Sequence, residues 1–358
     1  MGLTAAFDAS GDESSQLVLL VAGFVSSASD WEDFSKLWLD RLKADGLVYM
    51  HMKEFSHSRG QFEKGWKGET RRRESLLKDL MNIIRSHAYR KFGLGIVNDT
   101  FRASLSTTTM EQWSLNAYSL AGRTCVKDVD EWTFEEHCRS TVEFVFEEGD
   151  KGWGLLCTRL LEDGYQKPTK RPKKDRYTPE GFLVPAFVPL QAADFLAYEY
   201  FLELTRAVDG SDHNTRWALE EFERMPGRIG TYTLENLKDF EDMVKITKEM
   251  DEWAVSTGLL KRNSSGRLYR EGKVLICDLH LFAWSDVDAV SGQPGVKPFC
   301  KTHPKSNIEV TVSRDAVTAI CRYRDNEHPL NTCPVEAFQT EKEQARLAFL
   351  KNKGTSGS

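Results

Sequence analysis

Three carboxylates stand where apolar runs end or where an apolar helix would carry them. They are Asp8 in FDASGD, Glu147 in FVFEEGD and Asp194 in PLQAADFLAYE. A carboxylate at the tip of a buried strand is poorly placed to stabilise a core, because burying an unpaired charge costs several kcal/mol or more. Three of them converging would repel unless a divalent cation lay between them. That is the layout of a magnesium or manganese site with open positions, and its chemistry would be metal-assisted hydrolysis. Among the acids at the end of 141–147, Glu147 is preferred to Glu148. Phe144 and Phe146 would share the opposite face, with Val145 facing out, and Gly149 allows close approach. On the helix opened by Pro189, Gln191, Asp194 and Tyr198 fall at i, i+3 and i+7 and share a face, whereas Glu199 is turned well away. Asp194 is therefore the expected ligand and Gln191 its helper. His51 and Glu54 in HMKEF form a further pair that could join such a site.

The elements that must position these groups can be read from periodicity. A strand over 3–8, a turn at SGDESS and an apolar run over 17–25 predict a hairpin. Ser29-Asp30-Trp31-Glu32 has the spacing of a capping box, and Trp31, Phe34, Trp38 and Leu42 predict a helix over 30–44. A third extended stretch is expected over 47–52. A helix over 69–87, a strand over 91–97, helices over 111–126 and 153–161, and a strand over 141–147 follow. Residues 166–176 read as a Pro-broken polar loop with six basic residues. Of these, Lys170, Arg171, Lys173 and Lys174 are expected to track the phosphates of a substrate, which would make binding salt-sensitive. A short extended stretch over 182–188 and a helix over 190–206 close the unit. Strands followed by alternating strands and helices predict an α/β fold with a mixed sheet flanked by helices.

Composition sets limits. The chain has 358 residues, 40% hydrophobic and 28% charged, with a net charge of −6. The length favours two domains, and the charge argues against indiscriminate coating of nucleic acid. No apolar run approaches the length of a membrane helix, and the acidic N-terminus does not read as a signal peptide. The odd number of cysteines, seven, fits a reducing cytoplasm. Residues 1–210 form the predicted catalytic domain, 211–262 a helical extension, 263–350 a small C-terminal domain and 351–358 a flexible tail. In that small domain CDLH and CKTH place Cys277, His280, Cys300 and His303 as a possible tetrahedral zinc set. The alternative is that Cys277 belongs to an apolar strand and His280 is incidental. Walker A, GxGxxG, HExxH and GxSxG signatures are absent, which argues against a nucleotide-driven motor, a dehydrogenase or a serine hydrolase.

DASGD, the AGFV strand, the tryptophan-rich helix, HMKEF, FVFEEGD and LQAADFLAYE occur in that order. Over roughly residues 1–205 this resembles a prokaryotic and phage family described as a domain of unknown function with a ribonuclease-H-like fold. LQAAD and DxSG are its most specific motifs. The resemblance implies a ribonuclease-H-like sheet with acids able to bind magnesium or manganese. Asp8, Glu147 and Asp194 match the family acids, and Ser10, His51, Glu54 and Gln191 support them. It implies a nuclease of two-metal type, Asp8 bridging the metals, acting on DNA or RNA in a setting such as phage defence. The first motif departs from the commoner DESG form, with Ala9 where a second carboxylate would stand. The alternative reading is a non-catalytic module of the same fold that binds nucleic acid or protein.

Overall fold

The computed structural model describes residues 2–256, apart from 15, 137–140 and 212–213, and beyond them backbone strands between 261 and 334. In chain order, β1 (Leu3–Gly11) and β2 (Val18–Ser27) form a hairpin, followed by α1 (Ala28–Ala44), α2 (Met52–Ser56), α3 (Thr70–His87) and β3 (Arg90–Val97). Next come α4 (Asn98–Ser104), α5 (Thr107–Gln112), α6 (Ala117–Glu135), β4 (Val142–Glu147), α7 (Trp153–Glu162) and β5 (Thr169–Arg171). A short antiparallel pair, β6 (Arg176–Tyr177) and β7 (Leu183–Val184), precedes α8 (Pro189–Asp209). Then follow α9 (Trp217–Glu223), β8 (Gly227–Tyr232) and α10 (Leu234–Ser256).

These strands make one six-stranded mixed sheet in the order β5-β4-β1-β2-β3-β8. β2 runs antiparallel to both β1 and β3, whereas β4 runs parallel to β1, β5 to β4 and β8 to β3. All ten residues of β2 are buried, as expected of a central strand covered on both faces. Alternation then sorts the side chains. Leu20, Ala22 and Phe24 pack with α1, α3, α8 and α9 on one face, and Leu19, Val21, Phe7 and Phe146 pack with α6 and α7 on the other. Ala6, Val145 and Leu190 form a small cluster under α8. Val145 thus faces α8 rather than outward, and Glu147, two residues on, lies on that same side.

The compact units are Met1–Glu241 and Asp242–Ser358. Residues beyond 210 return to the first unit, because β8 completes its sheet and Leu237 joins its core. In the second unit β9 (Lys261–Arg262) pairs with β10 (Leu268–Tyr269). β11 (Lys273–Val274), β12 (Phe282–Val287) and β13 (Pro294–Cys300) form one antiparallel sheet. β14 (Asn307–Val312), β15 (Ala316–Tyr323) and β16 (Asn326–Pro334) form another. Cys277, His280 and His303 lie outside the described residues, as does the side chain of Cys300 at the end of β13, so the zinc expectation does too. Among the described residues, no helix is long and apolar enough to cross a membrane.

Several local expectations change, and the single helix expected over 111–126 is instead α5 and α6 with a break at 113–116. Helix α1 is capped by Ser27, whose Oγ accepts from the Asp30 backbone N–H at 3.1 Å, so the cap lies two residues earlier than Ser29. The stretch 47–51 is irregular and joins no sheet, and Met52 opens α2; side chains of α8 accept the backbone N–H groups of Met50 and Met52. The basic segment 166–176 is ordered in part as β5 and the start of β6.

Gly23 shows how tightly the sheet is closed. A Cβ there would lie 1.8 Å from the carbonyl oxygen of Ala6 on β1, a backbone atom that cannot move aside. Gly23→Ala is expected to destabilise the first unit by about 3 kcal/mol, measured by denaturant unfolding. An effect below about 0.5 kcal/mol would contradict this close approach.

Candidate functional site

Strand register brings the first two acids together. Phe7 pairs with Phe146 in the parallel β1–β4 ladder, so Asp8 and Glu147, the next residues, lie side by side. β1 continues to Gly11 along β2, so Asp8 sits within the strand and is 1% exposed. The third acid comes from α8, whose first eleven residues, Pro189 to Glu199, are all buried. A helix buried all round must give each polar side chain a partner. Glu199 takes Arg216 at 2.6 Å, away from the acids. Asp194 and Gln191 face the end of β1.

The group the acids converge on is a lysine. The Lys173 ammonium lies 2.9 Å from Asp8 Oδ2, 2.9 Å from Glu147 Oε2 and 2.9 Å from Asp194 Oδ1. Three ammonium hydrogens thus meet three separate carboxylates. This corrects the expectation that Lys173 tracks phosphates in solvent: its side chain is only 11% exposed. The physical reason is charge compensation, since three acids at a buried point cannot stay ionised without a cation. Lys174 takes a different course, with its ammonium 5.0 Å from the centre of the Tyr49 ring. Lys170 and Arg171 lie exposed on β5.

Around the cluster, backbone and side-chain polar groups are shared out. Gln191 Oε1 accepts from Trp38 Nε1 at 2.8 Å and from the Met50 N–H at 2.7 Å, while its Nε2 donates to the Lys173 carbonyl at 2.8 Å. Asp194 Oδ2 accepts from the Met52 N–H at 2.6 Å. Asp8 Oδ1 accepts from the Ala9 N–H at 2.8 Å. His51 places Nδ1 3.2 Å from Glu54 Oε1 and Nε2 3.9 Å from Asp194 Oδ1. Tyr49 donates to Glu54 Oε2 at 2.8 Å. Ser10 is half-buried on the same face of β1 as Asp8. Ala9 points to the opposite face, so a carboxylate at that position would not have entered the cluster.

Electrostatics follow from burial. Burial pushes the Asp8 carboxyl well above its usual range, outweighing Lys173, and the neighbouring Glu147 and Asp194 push it further. For Lys173, burial would lower the ammonium, but Asp194, Asp8 and Glu147 together hold it well above the ordinary lysine value. Glu54 is pushed up by burial and brought below the usual carboxylate value by the hydrogen bonds from Tyr49 and His51. Asp150 is raised to about 7, first by burial and then by the charge of Asp8.

Asp150 is one of the acids crowding the end of 141–147 that the sequence passes over in favour of Glu147, and Tyr118 has no counterpart in the sequence. They line a cleft of about 520 Å³ with Ala9, Asp12, Asn116 and Lys151. The Tyr118 hydroxyl and Asp150 Oδ2 are buried without a hydrogen-bond partner, although each is near enough to shift the other's ionisation. Ala9, Leu19 and Tyr118 belong to the α6 side of the sheet, so this cleft opens on the face opposite the acidic cluster, and its lining includes none of Asp8, Glu147, Asp194 and Lys173.

The donor set has the hard oxygen chemistry that magnesium or manganese prefers. Its spacing does not fit. The oxygens stand at ammonium distance around Lys173, and a magnesium ion needs them at about 2.0–2.1 Å. Among the described residues, no group of three or more His, Cys, Asp and Glu is arranged to hold a metal ion.

Comparison with protein-family models, curated proteins and solved structures finds no match for this chain.

Asp150 generates a prediction. Its folded pKa is raised above the unfolded value of 3.8, so the unfolded chain gives up this proton first, and stability falls as pH rises from about 4 to 7. Asp150→Asn should remove part of that loss. The variant's Tm is expected to exceed that of wild type at pH 7.5 and to converge with it near pH 4. Parallel Tm–pH curves for the two proteins would contradict the burial of this carboxyl.

Proposed function

We propose that this chain is a phosphodiester hydrolase acting on nucleic acid, built on a ribonuclease-H-like sheet. The observation that carries the reading is the convergence of acids from β1, β4 and α8 on one buried cation. The strand order supports it. β5-β4-β1-β2-β3, with β2 antiparallel to both β1 and β3 and with β4 and β5 parallel to β1, is the order of a ribonuclease-H-like sheet. Glu147 ends β4, and Asp8 lies beside it where the parallel β1–β4 pairing ends, the region where open α/β sheets bind ligands.

The residues provide a base and a positive charge. Glu54 holds His51 by Nδ1 and leaves Nε2 facing the cluster, the geometry of an oriented general base. Asp8, whose carboxyl burial raises well above its usual range, abuts Glu147, the member of the pair closer to the surface. In hydrolysis, water attacks phosphorus and its proton passes to His51 Nε2. The P–O bond breaks as the leaving oxygen takes a proton from water, and the proton held by His51 returns to solvent. Lys173 offsets the charge of the acids so that a phosphate can approach. Magnesium or manganese, implied by the resemblance, has no step in this scheme.

A second reading has its own observation. Each of the three carboxylates is already compensated by Lys173, and Asp194 and Asp8 also by backbone N–H groups, which is what a structural lock in a non-catalytic binding module requires.

Cleavage of labelled single- and double-stranded DNA and RNA by the full chain separates the two. In the hydrolase reading, His51→Ala and Asp194→Asn each lower the cleavage rate by about a hundredfold or more while circular dichroism shows a folded protein. Absence of cutting by folded wild-type protein, with EDTA or with manganese, would overturn the hydrolase in favour of the lock.

A further inference from the structure

The chemistry of the acids and their spacing disagree, and the disagreement has a physical cause. Lys173 uses its three N–H donors on three carboxylates from three separate elements. Its main chain is held on both sides. The carbonyl of Lys173 accepts from Gln191, that of Pro172 accepts from the Phe187 N–H at 2.8 Å, and Asp175 accepts from the Ala186 N–H at 2.7 Å. β5, two residues before Lys173, is paired with β4. The ammonium is therefore presented by an anchored segment. A divalent ion could enter only if the lysine gave up all three contacts and the oxygens moved inward by about 0.8 Å. An ammonium and a divalent cation at the same point would also repel.

We propose that Lys173 is the resident cation of this cluster in place of a divalent metal, so that Asp8, Glu147 and Asp194 bind neither magnesium nor manganese while the lysine is present. The inference concerns the site on which the hydrolase reading rests, but it does not require that the site cuts anything. Its readout is ion binding, so it can fail while cleavage stands and stand while cleavage fails.

Manganese binding to the full-length chain, followed by electron paramagnetic resonance and calorimetry, tests it. Wild-type protein should show no manganese binding that Asp194→Asn removes, and its Tm should be the same in EDTA and in magnesium. Lys173→Met exposes the three carboxylates to one another. This variant should bind one manganese ion about a hundredfold more tightly than wild type and gain Tm with manganese. If Lys173→Met does not fold without metal, the double variant D8N/K173M carries less buried charge and serves the same measurement. Tight manganese binding to wild type that Asp194→Asn abolishes would overturn the proposal. So would folded lysine-free variants that bind no manganese.

Discussion

A buried positive charge decides how this domain is put together. Asp8, Glu147 and Asp194 come from a central strand, its parallel neighbour and a buried helix; Asp8 and Asp194 are buried and Glu147 is half-buried. Without compensation such a trio would drive the three elements apart, at a cost of several kcal/mol for each unpaired ion. With Lys173 between them, the same charges fix the register of β1 against β4 and the depth of α8. Ion clusters of this kind add little net stability over an apolar core, but removing one member is costly. Their effect is to specify one arrangement.

The rest of the sheet side follows from the same constraint. Helix α8 is apolar on nearly every side, so its few polar residues act as connectors. Gln191 ties α1, the 47–51 segment and the Lys173 loop together, Asp194 takes the start of α2, and Glu199 takes Arg216. The irregular 47–51 segment joins no sheet, and α8 accepts its Met50 N–H. That leaves His51 at the edge of the cluster, with Glu54 and Tyr49 behind it. A general base and a cation are thereby held together on the α8 face of the central strands, as the proposed hydrolase requires.

Much of this was legible in the sequence. Two-residue alternation in β1 and β4, and three-to-four-residue spacing on α8, place Asp8, Glu147 and Asp194 on one side and turn Glu199 away. The mixed sheet could be read from apolar runs and turn residues. Long-range partners could not. The stretch 47–52 has strand-like side chains, and only the tertiary fold shows that its N–H groups bond to Gln191 and Asp194. Lys173 sits in a run of basic residues that reads as a solvated loop. A signal was present nonetheless, since three acids expected to be buried demand a cation and this run lies just before the LQAAD helix. The Ser27 cap escaped because Ser29 offered an equally good spacing. Asp150 and Tyr118 meet from different elements, a proximity that no local pattern carries.

The most direct test of this account is the titration of the Lys173 amine itself, followed by NMR of the lysine side chains labelled with 15N and 13C and assigned with Lys173→Arg. The three ion pairs predict an ammonium shielded from exchange that stays protonated well above the ordinary lysine value of 10.5. A Lys173 signal that exchanges freely and titrates with the exposed lysines would show that the carboxylates are not held by this residue, and the account of the site would fall.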